Sequence, residues 1–126
     1  MALHNKVAFD TNMLLSIARF RVDVFTEARK LLGNTEFVVP KQVWEELMKA
    51  SGKRGKIRAE AEIAIEISGK RGVKIVEVDA RNADDALRKM AKDAVIATND
   101  KELKNSVKKL NGTVLYLRQK KFLELS

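Results

Sequence analysis

Apolar residues along the chain fall into short continuous blocks separated by longer stretches in which they recur three and four positions apart. Lys6-Val7-Ala8-Phe9 is such a block and stops abruptly at Asp10-Thr11-Asn12, which reads as a buried strand turning into a helix. Val22 to Leu32 carries Val24, Phe25, Ala28, Leu31 and Leu32 at helical spacing until Gly33-Asn34. Glu36-Phe37-Val38-Val39 predicts a second strand, and Pro40 stands where a helix, Lys41 to Ala50, can begin. After the basic loop 51–56, a longer helix runs to about Ser68 with Ile57, Ala61, Ala64 and Ile65 on one stripe. Val73–Val78 predicts a third strand, Asn82–Asp93 a helix, and Ala94–Ala97 a fourth strand. Lys101–Leu110 follows as a helix and Thr113–Leu117 as a fifth strand after the Asn111-Gly112 turn. The basic tail Arg118–Lys121 is followed by Phe122, Leu123 and Leu125, which can pack back on the body.

Strands alternating with helices imply right-handed crossovers and a three-layer α/β/α fold around a mainly parallel sheet of about five strands. The 126 residues suit one domain, 1–126. At 45% apolar they can build a core, which excludes disorder. The chain has no cysteine, so disulfides, thiol nucleophiles and iron–sulfur clusters are excluded; its one histidine, His4, argues against a catalytic triad. No apolar run reaches the ~20 residues of a membrane span, and Asp10 arrives too soon for a secretory segment. The expected location is cytoplasmic. Lys and Arg total 25 against 17 acids, a net charge of +8 that favours a polyanionic partner such as nucleic acid.

Ligands of open parallel sheets bind beyond the carboxyl ends of the strands. Two of those ends read alike: Phe9-Asp10-Thr11-Asn12 and Ala97-Thr98-Asn99-Asp100. If the two strands are neighbours, Asp10 and Asp100 face each other across one crevice. Each motif alone also reads as a helix cap, Asn99 with Glu102 being a capping box. On the helix after the third strand, Leu87, Met90, Ala91 and Ala94 set the apolar face. Asp84 lies at its edge, whereas Asp85 points to water and suits a cap with Asn82. On the Lys41–Ala50 helix, Glu45 and Glu46 flank the apolar arc equally, and periodicity does not choose between them.

These motifs, in this order, resemble the PIN-domain family of metal-dependent nucleases, which includes VapC-type toxins and ribosomal-RNA-processing nucleases. The likeness spans about Lys6 to Arg118. It is carried by Phe9-Asp10-Thr11-Asn12, Val39-Pro40 with Val43-Trp44-Glu45-Glu46-Leu47, Ala83-Asp84-Asp85-Ala86-Leu87 with Ala91, Ala97-Thr98-Asn99-Asp100 with Leu103, and Val114–Arg118. The resemblance implies Asp10, Glu46, Asp84 and Asp100 as catalytic and metal-ligating acids, supported by Thr11, Asn12, Asp85, Thr98 and Asn99. The chain departs from the family in one place: Lys92-Asp93 runs almost directly into Ala94-Val95-Ile96, without the usual Gly-containing stretch.

Four carboxylates repel one another and a phosphate. One or two Mg²⁺ or Mn²⁺ ions, which prefer oxygen ligands, cancel that charge and activate water. The reading is therefore a Mg/Mn-dependent endoribonuclease acting on single-stranded RNA, with the 3′ oxygen leaving and a 5′ phosphate on the product, as the family implies. Lys49, Lys53, Arg54, Lys56 and Arg58 are the candidate RNA contacts through phosphates. Trp44 reads as core rather than as a stacking platform. The resemblance leaves two roles open, a toxin with an antitoxin partner or RNA processing on a pre-ribosomal particle, and makes a homodimer plausible. The alternative is a non-catalytic RNA-binding or ribosome-assembly protein on the same fold. A phosphotransferase is disfavoured because Asn12 stands where a second aspartate belongs, and no Gly-rich phosphate loop is present.

Overall fold

A computed structural model describes residues 6–126; His4 lies outside the described residues. The sheet contains β1 (Lys6–Phe9), β2 (Glu36–Pro40), β3 (Lys74–Val76), β4 (Val95–Ala97), β5 (Val114–Arg118) and β6 (Phe122–Leu125). Their spatial order is β3-β2-β1-β4-β5-β6. The first five strands are parallel, and β6 returns antiparallel to β5. The helices are α1 (Thr11–Arg19), α2 (Val24–Leu32), α3 (Lys41–Ser51), α4 (Lys56–Lys70), α5 (Ala83–Met90) and α6 (Lys101–Lys109). They complete the three-layer α/β/α arrangement that the alternation of patterns predicts.

The sheet has one more strand than expected. The tail after Arg118 does not merely fold back on the body. It forms a hairpin, in which Arg118 pairs with Phe122 and Leu115 with Leu125. Its turn carries Gln119 and Lys120 at φ of 55° and 57°, and Lys121 N–H donates to the Arg118 carbonyl at 3.1 Å. Two successive left-handed residues are the conformation whose twist suits a hairpin, usually filled by Asn or Gly. Here Gln and Lys adopt it, so the sequence gives no turn signal.

Strand β1 is central and wholly buried beyond Lys6, with β2 on one side and β4 on the other. Phe9, Phe25 and Phe37 meet edge-on or tilted beneath its end, with ring centroids 4.9–5.6 Å apart. This cluster joins β1, α2 and β2 and fixes the height at which the chain emerges at Asp10. From β1 the chain winds outward through β2 and β3, then crosses back to β4 on the other side of β1. The connection order therefore reverses between β1 and β4, and a crevice opens at their carboxyl ends.

The compressed segment before β4 also has a local explanation. Helix α5 stops at Met90, three residues earlier than its apolar pattern predicts. The Asp93 and Ala94 N–H groups turn back to the Met90 carbonyl at 3.0 and 2.9 Å. That tight turn brings Ala91 against Gly112, in the turn before β5. A Cβ on Gly112 would lie 2.6 Å from Val107 Cγ1 and 3.3 Å from Ala91 Cβ. Substituting Gly112→Ala is expected to destabilise the fold by about 1–3 kcal/mol through overpacking. The measurement is a lowered urea midpoint at unchanged slope.

Candidate active site

Four carboxylates reach one cleft from four separate elements. Asp10 caps α1, directly after β1; Glu46 projects from the middle of α3; Asp84 lies in the first turn of α5; Asp100 caps α6. Together with Thr11, Asn12 and Ala83 they line a cleft of about 150 Å³. The pairing of β1 with β4, Phe9 opposite Ala97, sets Asp10 beside the β4 end, as expected for neighbouring strands. Asp10 is buried, whereas Glu46, Asp84 and Asp100 are exposed at the rim.

Three of the acids are placed by specific contacts, and Asp84 by its position in the first turn of α5. Asp10 Oδ1 accepts the Met13 N–H at 2.7 Å and Oδ2 accepts the Thr98 hydroxyl. That hydroxyl also accepts the Asp100 N–H at 3.0 Å, and Asp100 Oδ1 caps α6 by accepting the Leu103 N–H at 2.9 Å. The Thr11 hydroxyl donates to Glu46 Oε1. The structure thus places Glu46 in the cleft with Thr11. Glu45 lines, with Glu46, a hollow beside it. Gln42 donates to the carbonyls of Val78 and Ala80, at 2.8 and 3.2 Å, and holds the irregular segment that delivers α5. A lone Gln on a helix carries no sequence signal for that role.

Other supporting residues differ in what they touch. The α6 cap is Asp100, not Asn99 as the Asn99–Glu102 capping box predicts. Asn99 accepts the Leu117 N–H at 2.6 Å and donates to its carbonyl at 3.0 Å, tying the β4 end to β5. Asn82 caps α5 by accepting the Asp85 N–H at 2.9 Å, as read from the sequence. Asp85 itself faces Arg81 and Lys89, accepting the Arg81 N–H at 3.2 Å, and it is not among the residues that line the cleft. Trp44 is half-buried against the core. Of the basic candidates, Lys49 joins Arg81 beside Glu46 in a hollow of about 420 Å³, and Arg58 pairs with Glu62 at 3.4 Å. Lys53 and Arg54 occupy the α3–α4 turn, and Lys56 begins α4. Arg81 was not singled out by sequence, because nothing in the pattern places the segment before α5 beside α3.

A family model described as a PIN like domain matches residues 7–120. The chain belongs to this family. It is 31% identical to the ribonuclease VapC4 of Methanocaldococcus jannaschii over 128 aligned residues, covering 95% of each chain. The fold of this PIN domain superposes on the PIN domain endonuclease Utp24 with a TM-score of 0.79 at 23% identity, over 96% of this chain and 90% of that one. It also superposes on VapBC2 of Rickettsia felis, solved with a promoter DNA fragment, with a TM-score of 0.57 at 15% identity, over 79% and 92% of the two chains. Among the described residues no helix is long and apolar enough to cross a membrane.

The donors in the PIN-domain cleft are carboxylate oxygens, the chemistry that hard divalent ions take. They line the cleft without closing on one point: among the described residues no three acidic or imidazole side chains form a ready-made cation cage. Burial sets the ionisation of Asp10, with a smaller push from its acidic neighbours. Its pKa is pushed from 3.8 up to about 6, first by burial and then by the charges of Asp100 and Asp84, against the Thr98 and Met13 hydrogen bonds that lower it. A folded-state value above the unfolded one means that ionisation opposes folding. The penalty is absent below about pH 4 and complete above about pH 6, where it reaches about 3 kcal/mol. In EDTA, Asp10→Asn is therefore expected to be more stable than the parent at pH 7.5, with the difference fading by pH 4. Urea denaturation across that range measures it, and a pH-independent difference would show that Asp10 carries no such penalty.

Proposed function

We propose that this PIN domain is a metal-dependent endoribonuclease that hydrolyses phosphodiester bonds of single-stranded RNA. The observation that carries the reading is the convergence of Asp10, Glu46, Asp84 and Asp100 at the switch point of the sheet. The sequence relationship to a ribonuclease of nearly the same length supports the substrate. Asp10, locked by two donors, is the fixed ligand at the floor. Glu46 is turned inward by Thr11, Asp100 is fixed at the rim by its cap on α6 with its second oxygen open, and Asp84 stands exposed beside it. These carboxylates would hold one or two Mg²⁺ or Mn²⁺ ions, which when bound would supply charge neutralisation at the phosphate and activation of water.

The chain's own residues do the rest. Thr98 keeps the Asp10 carboxylate in one orientation and joins it to the backbone that carries Asp100. Such supporting hydrogen bonds typically contribute 10- to 100-fold. Lys49, Lys53, Arg54, Lys56 and Arg58 attract the strand through its phosphates, independently of sequence. In the first turn of α4, Lys56 and Arg58 add charge to a helix end that is already positive and has no acidic residue. That arrangement suits a polyanion. An antitoxin-type protein is the partner most in keeping with the VapC relative, ahead of a pre-ribosomal particle.

The test is cleavage of end-labelled single-stranded RNA in Mn²⁺, Mg²⁺ and EDTA. Cutting is expected with either ion and not in EDTA. Asp10→Asn and Asp100→Asn are expected to abolish it while remaining folded, and Thr98→Val to slow it about 10- to 100-fold. RNA binding without cutting in any metal would leave the non-catalytic RNA-binding reading in its place. For binding, Lys49→Ala is expected to flatten the slope of log K against log salt by about 0.7, the contribution of one phosphate contact on a single strand.

A further inference from the structure

A second hollow, about 290 Å³, adjoins the acidic cleft and shares Asn12 and Asp100 with it. It lies between the last turn of α1, which supplies Ser16, Arg19 and Phe20, and Leu117 of β5. We propose that this hollow receives an unpaired base of the RNA strand, next to the bond held over the carboxylates. The proposal rests on the ribonuclease reading and specifies how that site grips its substrate.

Three observations carry it. Phe20 is half-buried, and Lys120 of the β5–β6 turn lies over its ring, the ammonium 5.2 Å from the centroid. Phe20 lines the hollow, and the exposed Lys120 beside its ring can meet a flanking phosphate. Second, the rim is rigid and chemically mixed. Arg19 is held by a two-pronged contact with Glu60, at 2.9 and 3.2 Å, and Asn99 is bound to both backbone groups of Leu117. The exposed Asn12 amide, with no protein partner among the described residues, offers a donor and an acceptor to a base edge or a 2′-hydroxyl. Third, the hollow on the opposite flank has no aromatic lining; it presents Gln42, Glu45, Lys49 and Arg81. The two flanks are therefore unlike, one suited to a base and the other to the backbone, and the strand has a preferred direction across the acids.

The test is binding of a short single-stranded RNA by the full chain in an Asp10→Asn background, with one abasic nucleotide moved along the strand. Loss of the base is expected to weaken binding about ten-fold at one position near the cleavage site and much less elsewhere. Phe20→Leu, which keeps apolar packing but loses the aromatic face, is expected to bind about ten-fold more weakly and to become indifferent to that abasic position. In the cutting enzyme the same substitution is expected to raise KM with little change in kcat. Additive effects of the two changes, or an abasic scan with no preferred position, would overturn the proposal. The scan decides the question even if the Phe20 variant fails to fold. If the wild-type chain cuts RNA yet the scan is flat, the base pocket fails and the nuclease stands; if the parent neither cuts nor binds RNA, both fall.

Discussion

The buried hydroxyl of Thr98 holds together the two strand ends on which the site is built. It donates to Asp10 and accepts the backbone N–H of Asp100, so one side chain ties the end of β1 to the start of α6. The Asp10 N–H reinforces the link by donating to the Ala97 carbonyl at 3.1 Å. Beneath it the three packed phenylalanines fix where β1 emerges. Above it, Asp10 and Asp100 each use one carboxylate oxygen to cap a helix. A cap needs one acceptor oxygen, and a carboxylate has two. The second oxygen is what makes these positions available for chemistry, and at Asp10 Thr98 controls where it points.

The placement of negative charge is in tension with the rest of the molecule. The surface carries a net +8, yet the four acids are gathered where β1 and β4 end. The long-range field draws in a polyanion; the short-range field of the cleft repels it. Burial and like charge at Asp10 are a local weakness in the fold, of the kind expected where structure is arranged for function rather than stability. Lys49 and Arg81 beside Glu46, and Lys120 over Phe20, put positive charge on either flank.

Most of this arrangement is legible in the chain because it follows from local patterns. Strand–helix alternation gives the parallel sheet, and the abrupt ends of two apolar strands mark Asp10 and Asp100. The helical wheel selects Asp84 over Asp85, and the structure lines the cleft with Asp84. What is not legible depends on contacts between distant elements. Glu45 and Glu46 are equivalent on the α3 wheel, and the Thr11 hydroxyl across the cleft distinguishes them. The Asn99 side chain reads as a cap, because caps are local, and instead clamps Leu117 eighteen residues away. Strand β6 escapes notice because its turn uses Gln119 and Lys120 where sequence signals rely on Asn and Gly. Phe20 of the hollow and Lys120 meet through that unseen turn.

The hairpin differs in kind from the sheet it extends. The β1–β4 pairing joins residues nearly ninety positions apart and is wholly buried. The β5–β6 pairing is local, lies at an edge, and is secured in part by exposed contacts such as Glu124 with Arg118 and Tyr116. Local, solvent-facing units open at lower free energy than a central parallel core. Amide hydrogen exchange should therefore be graded across the sheet, slowest at Val7–Phe9 and fastest along Phe122–Leu125. The turn that brings Lys120 over Phe20 is then the more yielding neighbour of the site, while the floor under Asp10 is held by the last structure to unfold.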